Sequence, residues 1–113
     1  MKILIVAMAI LAALSTTASA ELTECKMTSS FAGEVMTNRQ SGVQMATVMD
    51  IAKAEAEAGN NSQMLQSRVL QTMQLIIVDA YESPRFSTEN YKARAISEFK
   101  NRWYLRCFKA QNK

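Results

Sequence analysis

Cys25 and Cys107 are the residues of this chain best suited to covalent chemistry. They are not in Cys-x-x-Cys spacing, so the sequence gives no support for dithiol redox catalysis. An even pair with no third thiol most simply forms one disulfide in an oxidising compartment. The 113 residues include no histidine, so the commonest general base and metal ligand is missing. Zinc or copper would then have to rest on carboxylates or thioethers. Six methionines follow residue 20 (Met27, Met36, Met45, Met49, Met64 and Met73). Thioethers suit Cu(I), but these residues lack Met-x-Met or Met-x-x-Met clustering, and filling an irregular helical core is the better reading. Glu55, Glu57, Glu82, Glu89 and Glu98 could in principle supply the two carboxylates of a glycosidase, yet no spacing singles out a pair. Ser83, Ser87 and Ser97 have no partner base, and there is no Gly-rich phosphate loop. The expectation is a protein without catalytic residues, metal or cofactor.

These residues are set in a chain with a distinctive start. Lys2 is followed by an apolar run from Ile3 to Leu14, then Ser15-Thr16-Thr17 and Ala18-Ser19-Ala20. This pattern predicts a cleavable secretory signal peptide over residues 1–20. The run is shorter than the roughly 20 residues that cross a bilayer. Cys25 does not directly follow the small residues, so a lipoprotein signal is not indicated. Residues 21–113 are expected to form a single periplasmic domain, in which the Cys25–Cys107 pair would be oxidised. Asn60-Asn61-Ser62 matches a glycosylation sequon, but the short signal reads as bacterial.

Helical periodicity runs through the rest. Cys25, Ala32, Val35 and Met36, with Phe31 alongside, predict a first helix capped by Thr23 and reaching about Gln40. Gly33 within it marks a close helix crossing, and Gly42 ends it in a left-handed turn. Met45 to Ala58 carries Val48, Met49, Ala52 and Ala56 on one side, and Gly59-Asn60-Asn61-Ser62 forms a turn. Gln63 to Tyr81, with Leu65, Val69, Thr72, Met73, Ile76, Ile77 and Ala80 at helical spacing, reads as the central core helix. Pro84 ends it. Ser87 caps a last helix whose buried stripe is Tyr91, Ala95, Phe99, Trp103 and Cys107, with Ile96 beside it.

Four helices with short connections give an all-α, up-down-up-down four-helix bundle. That topology places the start of the first helix beside the end of the fourth, where Cys25 and Cys107 lie, and predicts a disulfide stapling the two.

Charge is divided along the chain. Residues 21–83 hold eight acidic and four basic residues, and residues 84–113 hold eight basic and two acidic ones. The interleaved basic and aromatic residues of the second part give a candidate interaction surface of Arg85, Arg94, Arg102, Arg106, Lys109 and Lys113. Nucleic acid is not expected as a partner outside the cytoplasm. Another envelope or phage protein is, and contact with an anionic membrane or the cell wall fits the same charge.

The runs Arg39-Gln40-Ser41-Gly42-Val43, Asp79-Ala80-Tyr81-Glu82-Ser83-Pro84-Arg85-Phe86 and Phe99-Lys100-Asn101-Arg102-Trp103-Tyr104-Leu105-Arg106-Cys107 are similar to those of certain small secreted helical proteins of unknown function. These occur in gammaproteobacterial genomes, phages and prophages. The resemblance covers most of residues 21–113 and brings no activity with it. In outline the layout also resembles two groups of small periplasmic proteins: phage superinfection-exclusion proteins and acid-stress chaperones. The resulting expectation is a non-enzymatic periplasmic interaction protein, of the phage inhibitor or superinfection-exclusion kind. The alternative is an acid-stress chaperone that opens in the ordinary carboxylate range, about pH 3–5.

Overall fold

The computed structural model describes residues 24–59 and 63–112. The expected signal peptide, the Thr23 cap, the Asn60-Asn61-Ser62 turn and Lys113 lie outside the described residues. Among those described, all regular structure is helical: α1 (24–41), α2 (Met45–Gly59), α3 (Gln63–Glu82) and α4 (Glu89–Gln111). None of these helices is long and apolar enough to cross a membrane.

The expected stripe of α1 is buried: Cys25, Ala32, Val35 and Met36 all face inward. The helix stops at Gly42, whose φ is +86°. The Gly42 N–H donates to the Arg39 carbonyl at 3.2 Å and the Val43 N–H to the Asn38 carbonyl at 3.0 Å. This pair of bonds is a Schellman C-cap, which satisfies the last carbonyls and turns the chain sharply. A Cβ at Gly42 would also meet the Arg85 guanidinium at 2.9 Å. Gly42→Ala is therefore expected to cost about 1–2 kcal/mol, read as a lowered midpoint in urea or thermal unfolding. An unchanged midpoint would mean that the turn re-forms without a left-handed residue.

In α2 the buried residues are Val48, Ala52 and Ala56, and Asp50, Lys53, Glu55 and Glu57 are exposed. Two small alanines on the inner face let α2 lie close to its antiparallel neighbour α3. Burial in α3 departs from the expected central helix. Ile76, Ile77 and Ala80 are buried, whereas Leu75 is 63% and Val69 39% exposed. The inner face is covered only toward the C-terminal end, because a groove opens between α1 and α3 along the N-terminal half.

The cap of α4 is Thr88, not Ser87. Thr88 is extended (φ −102°, ψ 149°) and its hydroxyl accepts from the Tyr91 N–H. A capping oxygen must reach the N–H three residues on, and with the helix starting at Glu89 only Thr88 has that register. Phe99 and Trp103 are buried, and Ala95, Ile96 and Cys107 are partly so. Tyr91, expected in the stripe, is 55% exposed and lies beside Phe86, with ring centroids 6.0 Å apart.

α1 packs most extensively on α4. A Cβ on Gly33 would come within 2.7 Å of Lys100 Cδ, so the Lys100 side chain lies across this glycine. Ser29 Oγ donates to the Lys100 carbonyl at 3.2 Å. Cys25 and Cys107 form the disulfide, with Cα atoms 5.5 Å apart. The fold is the expected four-helix bundle, stapled from first helix to last. Its single core draws on all four helices, with Met36 and Val35, Val48 and Ala52, Ile76 and Ile77, and Phe99 and Trp103 in one cluster.

Candidate functional site

The end of the bundle opposite the disulfide is clamped by side chains of α1. Gln40 follows Met36 by four residues on the buried stripe and is 2% exposed. A buried amide is tolerated only when its donor and acceptor are both satisfied. Gln40 Nε2 donates to the Pro84 carbonyl at 2.9 Å, and Oε1 accepts from the Phe86 N–H at 2.8 Å. Arg39 Nε donates to the Ser83 carbonyl at 3.0 Å, and its guanidinium lies 5.2 Å from the Tyr81 ring centroid. The Tyr81 hydroxyl in turn donates to the Val43 carbonyl at 2.6 Å. The α1–α2 turn and the α3–α4 connection are thereby tied into one unit.

Burial raises the Tyr81 pKa above the ordinary 10.0, and the neighbouring Arg39 charge opposes that rise. The proton is held more tightly in the folded than in the unfolded protein. Its contribution is thus fully present below pH 10 and lost as the pH rises through the folded value. Stability should fall in alkali, with one tyrosine ionising later than the others by absorbance. Tyr81→Phe should remove that late step, and a wild-type titration without it would contradict the assignment.

Midway along the bundle, three donors from α4 converge on one oxygen of Asp79. Trp103 Nε1 donates to Oδ2 at 2.9 Å, Arg102 at 3.0 Å and Arg106 at 3.4 Å. Arg102 also lies over the Phe99 ring at 5.1 Å and Arg106 over Trp103 at 4.7 Å. The arginine side chains are 46% and 53% exposed, so each ion pair contributes only about 0–1 kcal/mol. The indole bond, from a residue that is 8% exposed, is the costlier one to break.

The six residues of the sequence-predicted surface are consequently spread out. Arg85 sits against Gly42 at the clamped end, and Arg94 lies over Tyr91 at 5.7 Å. Arg102 and Arg106 are tied to Asp79. Lys109 is exposed near the disulfide end, and Lys113 lies outside the described residues. Arg94, Arg102, Arg106 and Lys109 are all exposed on α4. Leu105 and Phe108, 50% and 48% exposed, add an apolar element to α4 near Lys109.

A groove of about 600 Å³ lies at the disulfide end between α1 and α3. Met27, Phe31, Val69, Thr72, Met73 and Ile76 line it, with Glu24, Glu34, Glu55 and Arg68 around them. Glu24 accepts from Gln111 at 3.0 Å. Glu34 and Glu55 make no ion pair among the described residues. A smaller hollow of about 170 Å³ lies under the 83–86 connection, against Phe86, Tyr91 and Phe99. Among the described residues, no three His, Cys, Asp or Glu side chains are grouped to hold a metal ion.

Sequence reasoning assigned no role to Gln40, Asp79 or Tyr81, and it buried Val69, which lines the groove. Signals for the first three were present. Gln40 continues the 32–36 spacing of α1, and Asp79 interrupts an apolar run. The three runs that carried the family resemblance meet in space: Gln40 grips Pro84 and Phe86, and Asp79 holds Arg102, Trp103 and Arg106. No family model, curated protein or solved structure matches this chain.

Proposed function

We propose that this protein is a non-enzymatic interaction protein of the bacterial periplasm, binding a segment of another envelope or phage protein. The observation that carries the reading is the open, methionine-lined groove at the disulfide end. An apolar concavity of this size, flanked by carboxylates without ion pairs among the described residues, suits a protein segment inserted side by side with α1 and α3. The disulfide holds the α1 wall against α4, which limits the ordering entropy lost there on binding. The disulfide fits an oxidising compartment. An inhibitor or superinfection-exclusion role is the form this reading takes if the partner is a phage or cell-wall-active protein.

A photo-cross-linking residue placed at Val69 in the producing bacterium tests the reading. A discrete protein adduct from Val69, absent when the cross-linker replaces the exposed Ala93 on α4, is the expected result. No adduct, or the same adducts from both positions, would end it.

Asp79 supports the acid-stress chaperone as a second reading. Loss of the negative charge on which Arg102 and Arg106 converge would leave the basic residues of α4 facing one another. A hydrophobic dye and a client-aggregation assay at about pH 3 decide it. Asp79→Asn should imitate part of the opening at neutral pH. A bundle that stays closed in acid, or opens without protecting a client, excludes the chaperone.

A further inference from the structure

The groove between α1 and α3 has a chemistry that selects among protein segments, and its geometry sets the length and pattern of the segment it takes. Its length and lining bear on the occupant given that the groove is a protein-binding site, as proposed above. Its α1 wall runs from Glu24 to Glu34 and its α3 wall from Arg68 to Ile76. At 1.5 Å per residue these walls are about 15 Å and about 12 Å long. That is enough for about two to three turns of a partner helix, with apolar anchors at i, i+3 or i+4, and i+7.

The floor is Ile76, which is buried, with half-buried Phe31 and Met73 beside it. Met27 is 66% and Val69 39% exposed at the edges. Thioethers at two of these positions let the lining adapt to different anchor shapes. Both walls are helices, and no strand edge is present among the described residues to receive an extended peptide. Three carboxylates (Glu24, Glu34 and Glu55) and one guanidinium (Arg68) surround the lining, a net of −2. Glu34 on α1 and Glu55 on α2 are the two with no bond to another group among the described residues.

We infer that the groove binds a basic amphipathic helix, its apolar face seated on Phe31, Val69 and Met73 and its Lys or Arg residues meeting Glu34 and Glu55. Opposite charges at the rim set the orientation and speed the encounter, and the apolar lining supplies the affinity.

The test uses the purified protein and two peptides of about five helical turns. Both carry leucine on one face; one has lysine on the other face, the second glutamate. The lysine peptide should bind saturably at one copy per chain and about tenfold tighter than the glutamate peptide, with the difference shrinking as salt is added. Val69→Glu is the decisive variant, because it removes apolar lining while making the groove more negative. Seating in the groove predicts about tenfold weaker binding of the lysine peptide. Unchanged or tighter binding would mean long-range attraction alone and would overturn the inference. Glu34→Lys combined with Glu55→Lys should reverse the preference toward the glutamate peptide. Both substitutions are at exposed helix positions, and circular dichroism verifies that the variants fold.

Equal binding of the two peptides, abolished by Val69→Glu, would retain the groove as a protein site and refute its choice of a basic partner. A dimer by light scattering that Val69→Glu dissociates would instead make the occupant a second copy, whose α4 is itself basic. The Val69 cross-linking result stands apart from these outcomes, so loss of the basic-helix assignment and loss of the binding reading are distinguishable.

Discussion

Replacing Cys25 or Cys107 by serine is expected to lower the unfolding free energy by about 2–5 kcal/mol. The bridge joins residues 82 apart. Closing a loop of that length removes about 4.5 kcal/mol of denatured-chain entropy at 25 °C in the chain-entropy model. A loss of this size is a large share of the ~5–15 kcal/mol typical of a domain, so the variant should also be less abundant. The change should be uneven along the molecule. The bridge ties α1 to α4 at the groove end, whereas Gln40, Arg39 and Tyr81 hold the other end without it. Amide exchange should therefore accelerate over 24–31 and 104–111 while the Phe86 amide stays protected. Under denaturing, non-reducing conditions the native protein should show no free thiol. Two reactive thiols would remove the staple, and uniform acceleration of exchange would contradict the division into two independently held ends.

The second large effect is expected at Gln40. Gln40→Leu has similar bulk but leaves the Phe86 N–H and the Pro84 carbonyl without their partner, beside a hollow that water can reach. Each orphaned group costs about 1–3 kcal/mol, so a total of about 2–4 kcal/mol follows if one of them finds water. Thermal or urea unfolding measures it, and the Phe86 amide should lose its exchange protection. Gln40→Glu separates the two bonds. A carboxylate still accepts from Phe86, but only the protonated acid donates to Pro84. Burial and the Pro84 carbonyl favour the acid, so the folded-state affinity for that proton exceeds the unfolded one. The variant should be most stable in acid and lose stability as the pH rises through the folded value. A variant as stable as wild type at all pH values would show that the loop does not depend on this amide.

Both predictions concern contacts that join distant parts of the chain, and they differ in how visible they were beforehand. The disulfide was legible, because helix count and connection length alone bring Cys25 beside Cys107. The Gln40 bonds were not. Periodicity locates Gln40 on the buried stripe of α1, yet its partners lie 44 and 46 residues on, in a connection with no regular pattern. Asp79 shows the same limit. Its place in α3 could be read directly, but its three donors depend on how far α4 is rotated and shifted along its axis.

The sequence by itself determined the four helices, their order, the Gly42 C-cap, the break at Pro84 and the pairing of the cysteines. These follow from local dihedral preference, 3.6-residue periodicity and chain connectivity, all of which act over a few residues or through topology. Tertiary structure alone decided that Arg102 and Arg106 reach Asp79 and lie over their own aromatic rings. It also decided that Val69 lines a groove with Phe31 and Met73. Whether an apolar residue is buried depends on how the neighbouring helices converge or part along their length. That spacing is fixed by packing among residues dozens of positions apart, and no local pattern in the chain carries it.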